Sequence, residues 1–309
     1  MSTEISDPRG NVILRTDDVS FQVCATVLAN ASPVFRAMFS HGWKEDSAVR
    51  NADPDSPATI EFPGDDPDVL RIFIRTAHDQ IVKVPREPEG DLLDRLVAFV
   101  DKYDCALSMR NYGEILIYRV LHTNPWMEDL WLLLQYAYVL KSETLFHDIS
   151  QQLAVRLPGG PKNWHSAVDN IGPAVPVEGI IDKLDALCES NMDAIETTLM
   201  EPEAIERGCT CVPRTSIGGD YVVQLAELDI FPYTPFSDFW HISPLEIIQR
   251  AHQLPPAEDV SYTGGCRNCY ILSELLAQGR VAARLGRAVS KGLCLACVSP
   301  DPCDKHPAA

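Results

Sequence analysis

No stretch of this sequence is long and apolar enough to cross a bilayer. Its longest apolar run, LWLLLQYAYVL at 130–140, falls well short of the roughly 20 residues that a spanning helix needs. A basic start followed by an apolar stretch is also missing from the N-terminal MSTEISDPRGN, so no secretory signal is expected. Positive charge is scarce: 26 Lys and Arg face 44 Asp and Glu, a formal net charge of −18. Such a field repels a phosphate backbone and makes nucleic acid a poor first choice of partner, although one face can still be locally basic. The chain has no Gly-rich phosphate loop, no H-E-x-x-H and no G-x-S-x-G. None of its eight histidines stands beside a Ser or Cys in a catalytic pattern, so nothing argues for an enzyme. No fixed-period repeat and no low-complexity tract is present. These absences together lead us to expect a soluble, intracellular, non-enzymatic protein, with no sign of whether it is nuclear or cytoplasmic.

What is present suits a folded chain. Hydrophobic residues make up 46% and charged residues 23% of 309, enough for two ordinary domains, each with its own core. Ten cysteines in a reducing compartment point to metal ligands, catalysis or packing before disulfides.

Residues 12–14 (VIL) and 19–23 (VSFQV), parted by TDD, read as a hairpin. Ser32 before Pro33 signals a helix start, with Phe35, Met38 and Phe39 on its apolar face and Gly42 as a stop. A charged, proline-containing loop is expected over 44–58. ATIEFP (58–63) reads as a third strand and QIVKVP (80–85) as a fourth, with a helix opening at Asp66-Pro67 between them. The stripe Leu92, Leu93, Leu96, Phe99, Val100 and Tyr103 marks another helix. Strands first and helices after them, up to about residue 122, describe a small α+β domain.

From 125 to 157 two amphipathic pieces suggest a helical hairpin, PGGPKN breaks the chain at 158–163, and the longest helix is expected over 177–200. Residues 201–265 are poor in periodicity, with one short helix, SPLEIIQRAHQL, near their end, and 270–291 reads as a helix-like run. Arg280, Arg284, Arg287 and Lys291 line one side of that run.

The string VSFQVCATVLANASPVFRAMFSHGWKED (19–46), followed in order by TIEFPGDDPDVLRIFI and LLDRLVAFVDKYDC, resembles a BTB/POZ domain over roughly residues 10–122. Further on, EDLWLLLQYAYVL with LFHDIS, and KGLCLACV with Cys303 and His306, are similar to the helical extension and cysteine-rich tail of uncharacterised filamentous-fungal BTB proteins. The resemblance implies a protein–protein interaction module that self-associates, as a homodimer, or holds a partner. Asn11, Cys24 and Ala25 stand where many family members carry Asp, His and a basic residue, so the charged pair used in corepressor grooves does not carry over. Cullin-3-binding members place a hydrophobic residue, any residue, then Glu after this helix, and Trp43-Lys44-Glu45 fits that pattern. An apolar side chain filling a partner pocket beside a carboxylate is the physical sense of it. The alternative is that Trp43 closes the domain's own core.

Cys24, Cys105 and Cys188 are isolated on apolar stripes and read as packing residues. The other seven group as Cys209 with Cys211, Cys266 with Cys269, Cys294 with Cys297, and Cys303 near His306. Two C-x2-C knuckles and a C-x2-H suit tetrahedral, structural zinc. In one partition Cys294, Cys297, Cys303 and His306 hold one ion and Cys209, Cys211, Cys266 and Cys269 another. In a second, Cys266, Cys269, Cys294 and Cys297 share one. Zinc would tie down a middle segment that has few apolar positions of its own.

The expected architecture is therefore a BTB/POZ domain at 10–122, a helical extension at 123–200 and a zinc-stabilised, cysteine-rich region at 201–309. The expected role is partner binding, with a cullin-3 ubiquitin-ligase substrate adaptor as its sharpest form. The competing role is a nuclear regulator that touches nucleic acid through the basic, zinc-stabilised C-terminal region.

Overall fold

A computed structural model describes residues 2–40, 42–86, 91–158, 175–207, 217–230, 242–254, 267–277, 279–289 and 291–298. The described residues fall into two compact units. One holds everything up to Pro125 together with Leu133–Leu145 and Val175; the other holds Trp126–Leu132 and the residues from Phe146 onward apart from that piece.

The first unit begins with a four-stranded sheet in the order β1-β3-β2-β4. The expected hairpin forms from β2 (Val12–Arg15) and β3 (Val19–Val23), antiparallel, with Val12 opposite Val23 and Leu14 opposite Phe21. Those four side chains are buried. Period-2 alternation puts them on one face, and a one-residue slip of either strand would turn its pair to the other face. Thr16 closes the turn: its hydroxyl donates to the Val19 carbonyl at 2.9 Å and accepts from the Val19 N–H at 3.2 Å. β4 (Ala58–Glu61) joins β2 in parallel, as a strand expected from ATIEFP. β1 (Ser2–Ile5), parallel to β3, was not foreseen. Arg71 holds its Glu4 with bonds of 2.8–3.0 Å.

Helices cover this sheet: α1 (Ala25–Ala31), α2 (Pro33–Met38), α3 (Lys44–Arg50), α4 (Pro67–Ala77), α5 (Leu92–Tyr103) and α6 (Ala106–Leu121). Two helix starts were legible. Ser32 accepts the Phe35 N–H and donates its hydroxyl to the Tyr103 carbonyl at 2.5 Å, so one buried side chain caps α2 and ties it to α5. Asp66 accepts from the Asp68 and Val69 N–H groups, both at 2.9 Å. Phe35 is the centre of the core, with the rings of Phe62, Phe73 and Tyr103 stacked around it at 5.7, 5.4 and 5.0 Å. Burial on this scale makes a Phe35→Ala change cost about 3–5 kcal/mol.

Two local expectations fail here. Residues 80–85 form no strand, and Ile81 is 91% exposed. The stretch expected as a loop from residue 44 opens instead as α3.

Beyond residue 122 the described chain is mostly helical: α7 (Met127–Val139), α8 (Glu143–Arg156), α9 (Val177–Arg207), α10 (Ile217–Glu227), α11 (Pro244–Ala251), α12 (Arg267–Leu275) and α13 (Arg280–Ala288). In the second unit Ile195 and Leu199 of α9 share a core with Tyr221, Leu225, Ile247, Val281 and Leu285. α10 lies in a stretch expected to be irregular. The expected run 270–291 divides at Gly279, whose φ of +71° breaks the helix.

The zinc-stabilised segment is a correction. Among the described residues, no group of three or more His, Cys, Asp or Glu side chains could hold a metal. Its rationale, a middle segment unable to bury enough surface, also fails where the chain is described. Tyr221, Leu225, Ile230, Ile242, Ile247, Ala251 and Leu254 are all buried in the second unit's core.

Candidate protein-interaction site

Trp43-Lys44-Glu45 lies at the start of α3. Gly42, at φ +75°, turns the chain in a conformation that only glycine adopts without strain. Trp43 follows as the N-cap in extended conformation, its carbonyl accepting the Ser47 N–H at 3.2 Å. Its indole projects from the turn and is 63% exposed, so it does not close the domain's own core. Lys44 is exposed and Glu45 half-buried in the first turn.

The side chain that fixes this turn is Asp46, only 1% exposed. Its carboxylate accepts the Gly42 N–H at 2.8 Å and the Arg50 Nε at 2.7 Å, with a second bond from the Arg50 guanidinium. One buried acid therefore bridges the residue before Trp43 to the last turn of α3, and α3 lies against β4. The result is a large aromatic surface held on a rigid element, with a carboxylate two residues on. Reading the motif alone missed Asp46. A carboxylate four residues before an arginine is a common surface pair, and its burial is visible only in the fold.

The positions that depart from the usual groove pattern serve the domain itself. Asn11 Oδ1 accepts the Ala25 N–H at 3.1 Å at the start of α1, and the Cys24 N–H donates to His78 Nε2 at 3.2 Å. Cys24 is half-buried, while Cys105 and Cys188 are buried and burial pushes both thiols up to about 12. This inertness matches a packing role.

Of the eight residues expected to bind zinc, Cys294 and Cys297 are fully described, and their sulfurs stand 3.3 Å apart. No third metal-ligating side chain joins them among the described residues. Cys209, Cys211, Cys266, Cys303 and His306, and the side chain of Cys269, lie outside the described residues. The zinc cofactor and the metal-binding role are thus not carried forward.

On the C-terminal basic helix, Arg280 pairs with Glu274 at 2.5 Å and Arg284 with Glu201. Among the described residues, no helix is long and apolar enough to cross a membrane.

Residues 8–119 match the BTB/POZ domain family, and the chain carries a BTB/POZ domain there. Such domains are non-catalytic modules that mediate protein–protein interaction. No curated protein matches the chain, and the family match ends before the helices that follow.

Proposed function

We propose that this protein is a substrate adaptor that docks on the N-terminal domain of cullin-3 through Trp43 and Glu45. The observation that carries the reading is the exposed indole at the N-cap of α3, on a turn fixed by a buried carboxylate. Trp43 would fill an apolar pocket of the partner, Glu45 would meet a donor at the pocket rim, and Lys44 would stay in solvent. In this reading the BTB/POZ domain, taken as 10–122, also self-associates as a homodimer. The helical extension at 123–200 and the region at 201–309 then present a second surface to the protein to be delivered.

Titration of purified full-length protein with a cullin-3 N-terminal domain tests the docking. Trp43→Ala should weaken binding by about 30-fold or more, the loss of about 2 kcal/mol expected for a buried aromatic anchor. Glu45→Ala should weaken it less, and Lys44→Ala should leave it unchanged. No binding by the parent chain, or binding indifferent to Trp43, would contradict the proposal. Sedimentation equilibrium of the same chain reads its self-association directly.

The nucleic-acid reading of the C-terminal helix has less support. The acidic partners of Arg280 and Arg284 would have to be displaced by phosphate, against a chain charge of −18.

A further inference from the structure

Lys291–Val298 is docked on α8. The Gly292 N–H donates to His147 Nε2 at 3.2 Å, and the Leu293 N–H donates to Ser150 Oγ at 2.7 Å. That hydroxyl in turn donates to the His147 carbonyl at 2.9 Å. Gly292 sits so close that a Cβ would stand 2.1 Å from the His147 oxygen, so only glycine fits. Leu293 and Val298 are buried on either side of the turn. Within it the Cys297 N–H donates to the Cys294 carbonyl at 3.0 Å, which brings the first and fourth residues of C-x2-C together. Their sulfurs are 3.3 Å apart as thiols, against about 2.05 Å in a disulfide. Cys294 is buried and Cys297 half-buried.

We propose that Cys294 and Cys297 form a reversible dithiol–disulfide modification site that reacts with low-molecular-weight disulfides and locks the turn of the docked segment when oxidised. The turn has already brought the two sulfurs together, so closing the bond needs a short approach of side chains and no refolding of the backbone. Cys297, the more exposed, attacks one sulfur of the small disulfide, which breaks that S–S bond and releases one small thiol. The sulfur of Cys294 then displaces the second small thiol from the mixed disulfide and forms the intramolecular bond. Two protons leave the cysteines and end on the two small thiols. The protein loses the two electrons that the small disulfide gains.

The test exposes native full-length protein to oxidised glutathione, alkylates the remaining thiols and weighs the tryptic peptide 292–305, which holds Cys294, Cys297 and Cys303. The expected peptide carries one alkyl group, at Cys303, where untreated protein carries three; it weighs two hydrogen masses less than the singly alkylated dithiol, is linked between Cys294 and Cys297 and reverts in excess reduced glutathione. Cys303→Ser should leave the linkage intact. Cys294→Ser should trap a glutathione adduct on Cys297, whereas Cys297→Ser should leave buried Cys294 without one. The proposal is overturned if both cysteines stay alkylatable after treatment, if Cys303 supplies the bond, or if a tightly held metal shields the pair in the purified protein. An adduct on Cys294 in place of Cys297 would overturn the order of attack.

Discussion

At the scale of single residues, the chemistry gathers around Asp46 and Gly292. Asp46→Ala removes the buried acceptor of the Gly42 N–H and of Arg50. Losing hydrogen bonds to a buried, charged acceptor costs about 2 kcal/mol, so we expect a clear drop in the denaturant midpoint. Partner binding should weaken too, although Trp43 is untouched, because the turn that aims it has lost its brace. A variant that unfolds earlier but binds as tightly would show that Asp46 serves stability alone. Gly292→Ala sets a methyl against the His147 carbonyl, and faster amide exchange at Leu293 would report the undocking. The three-residue pattern singled out Trp43 and left open whether its side chain faced solvent or the core. Its brace was not legible, because burial of a polar side chain leaves no mark on local sequence. The zinc expectation failed in a related way: C-x2-C spacing brings two sulfurs together but says nothing about which further ligands reach them.

At the scale of elements, some helix starts were readable and several helix ends were not. Ser32-Pro33 and Asp66-Pro67 follow the N-terminal pattern, and both caps form. Burial alone would raise the Asp66 carboxyl, but the N–H groups of Val69 and Asp68 and the Arg95 guanidinium outweigh it and hold it below its usual range. A carboxyl lowered in the folded state adds stability that is present above its unfolded value of about 4 and is lost as pH falls through the folded one. Asp66→Ala should therefore cost about 1–2 kcal/mol at neutral pH and much less in acid, checked by thermal unfolding across that range.

Helices α4, α5, α7 and α10 all end on a residue other than glycine with positive φ: Asp79, Asp104, Lys141 and Asp229. In each case the next N–H reaches back to close the final turn, from Gln80, Cys105, Ser142 and Ile230. A search for terminal glycines passes over all four. Relieving the left-handed strain, Asp79→Gly should stabilise the protein by up to about 1 kcal/mol, which a shift of the denaturant midpoint at unchanged slope would register. QIVKVP misled for the opposite reason. Its β-branched alternation is real, but a strand also needs an edge to pair with, and Ile81 is left in solvent.

At the scale of the whole molecule, the order of strands and helices up to residue 122 was enough to read the BTB/POZ fold. That order is set by hydrophobic period and helix caps, both local properties. The second unit was harder to read. Its core joins α9 to helices nearly 90 residues further on, among them Leu285, and such contacts follow from tertiary packing and not from any one window of sequence. α3 shows the same limit at short range, since its charged residues look like a loop until Asp46 is seen inward. The central claim is that the chain works by presenting the α3 turn to a partner protein. Hydrogen–deuterium exchange of the full-length chain, alone and with the cullin-3 N-terminal domain, addresses it most directly. We predict slowed exchange centred on residues 42–50, and Trp43→Ala should abolish it. Unchanged exchange throughout 8–119, or protection confined to residues beyond 200, would contradict the claim.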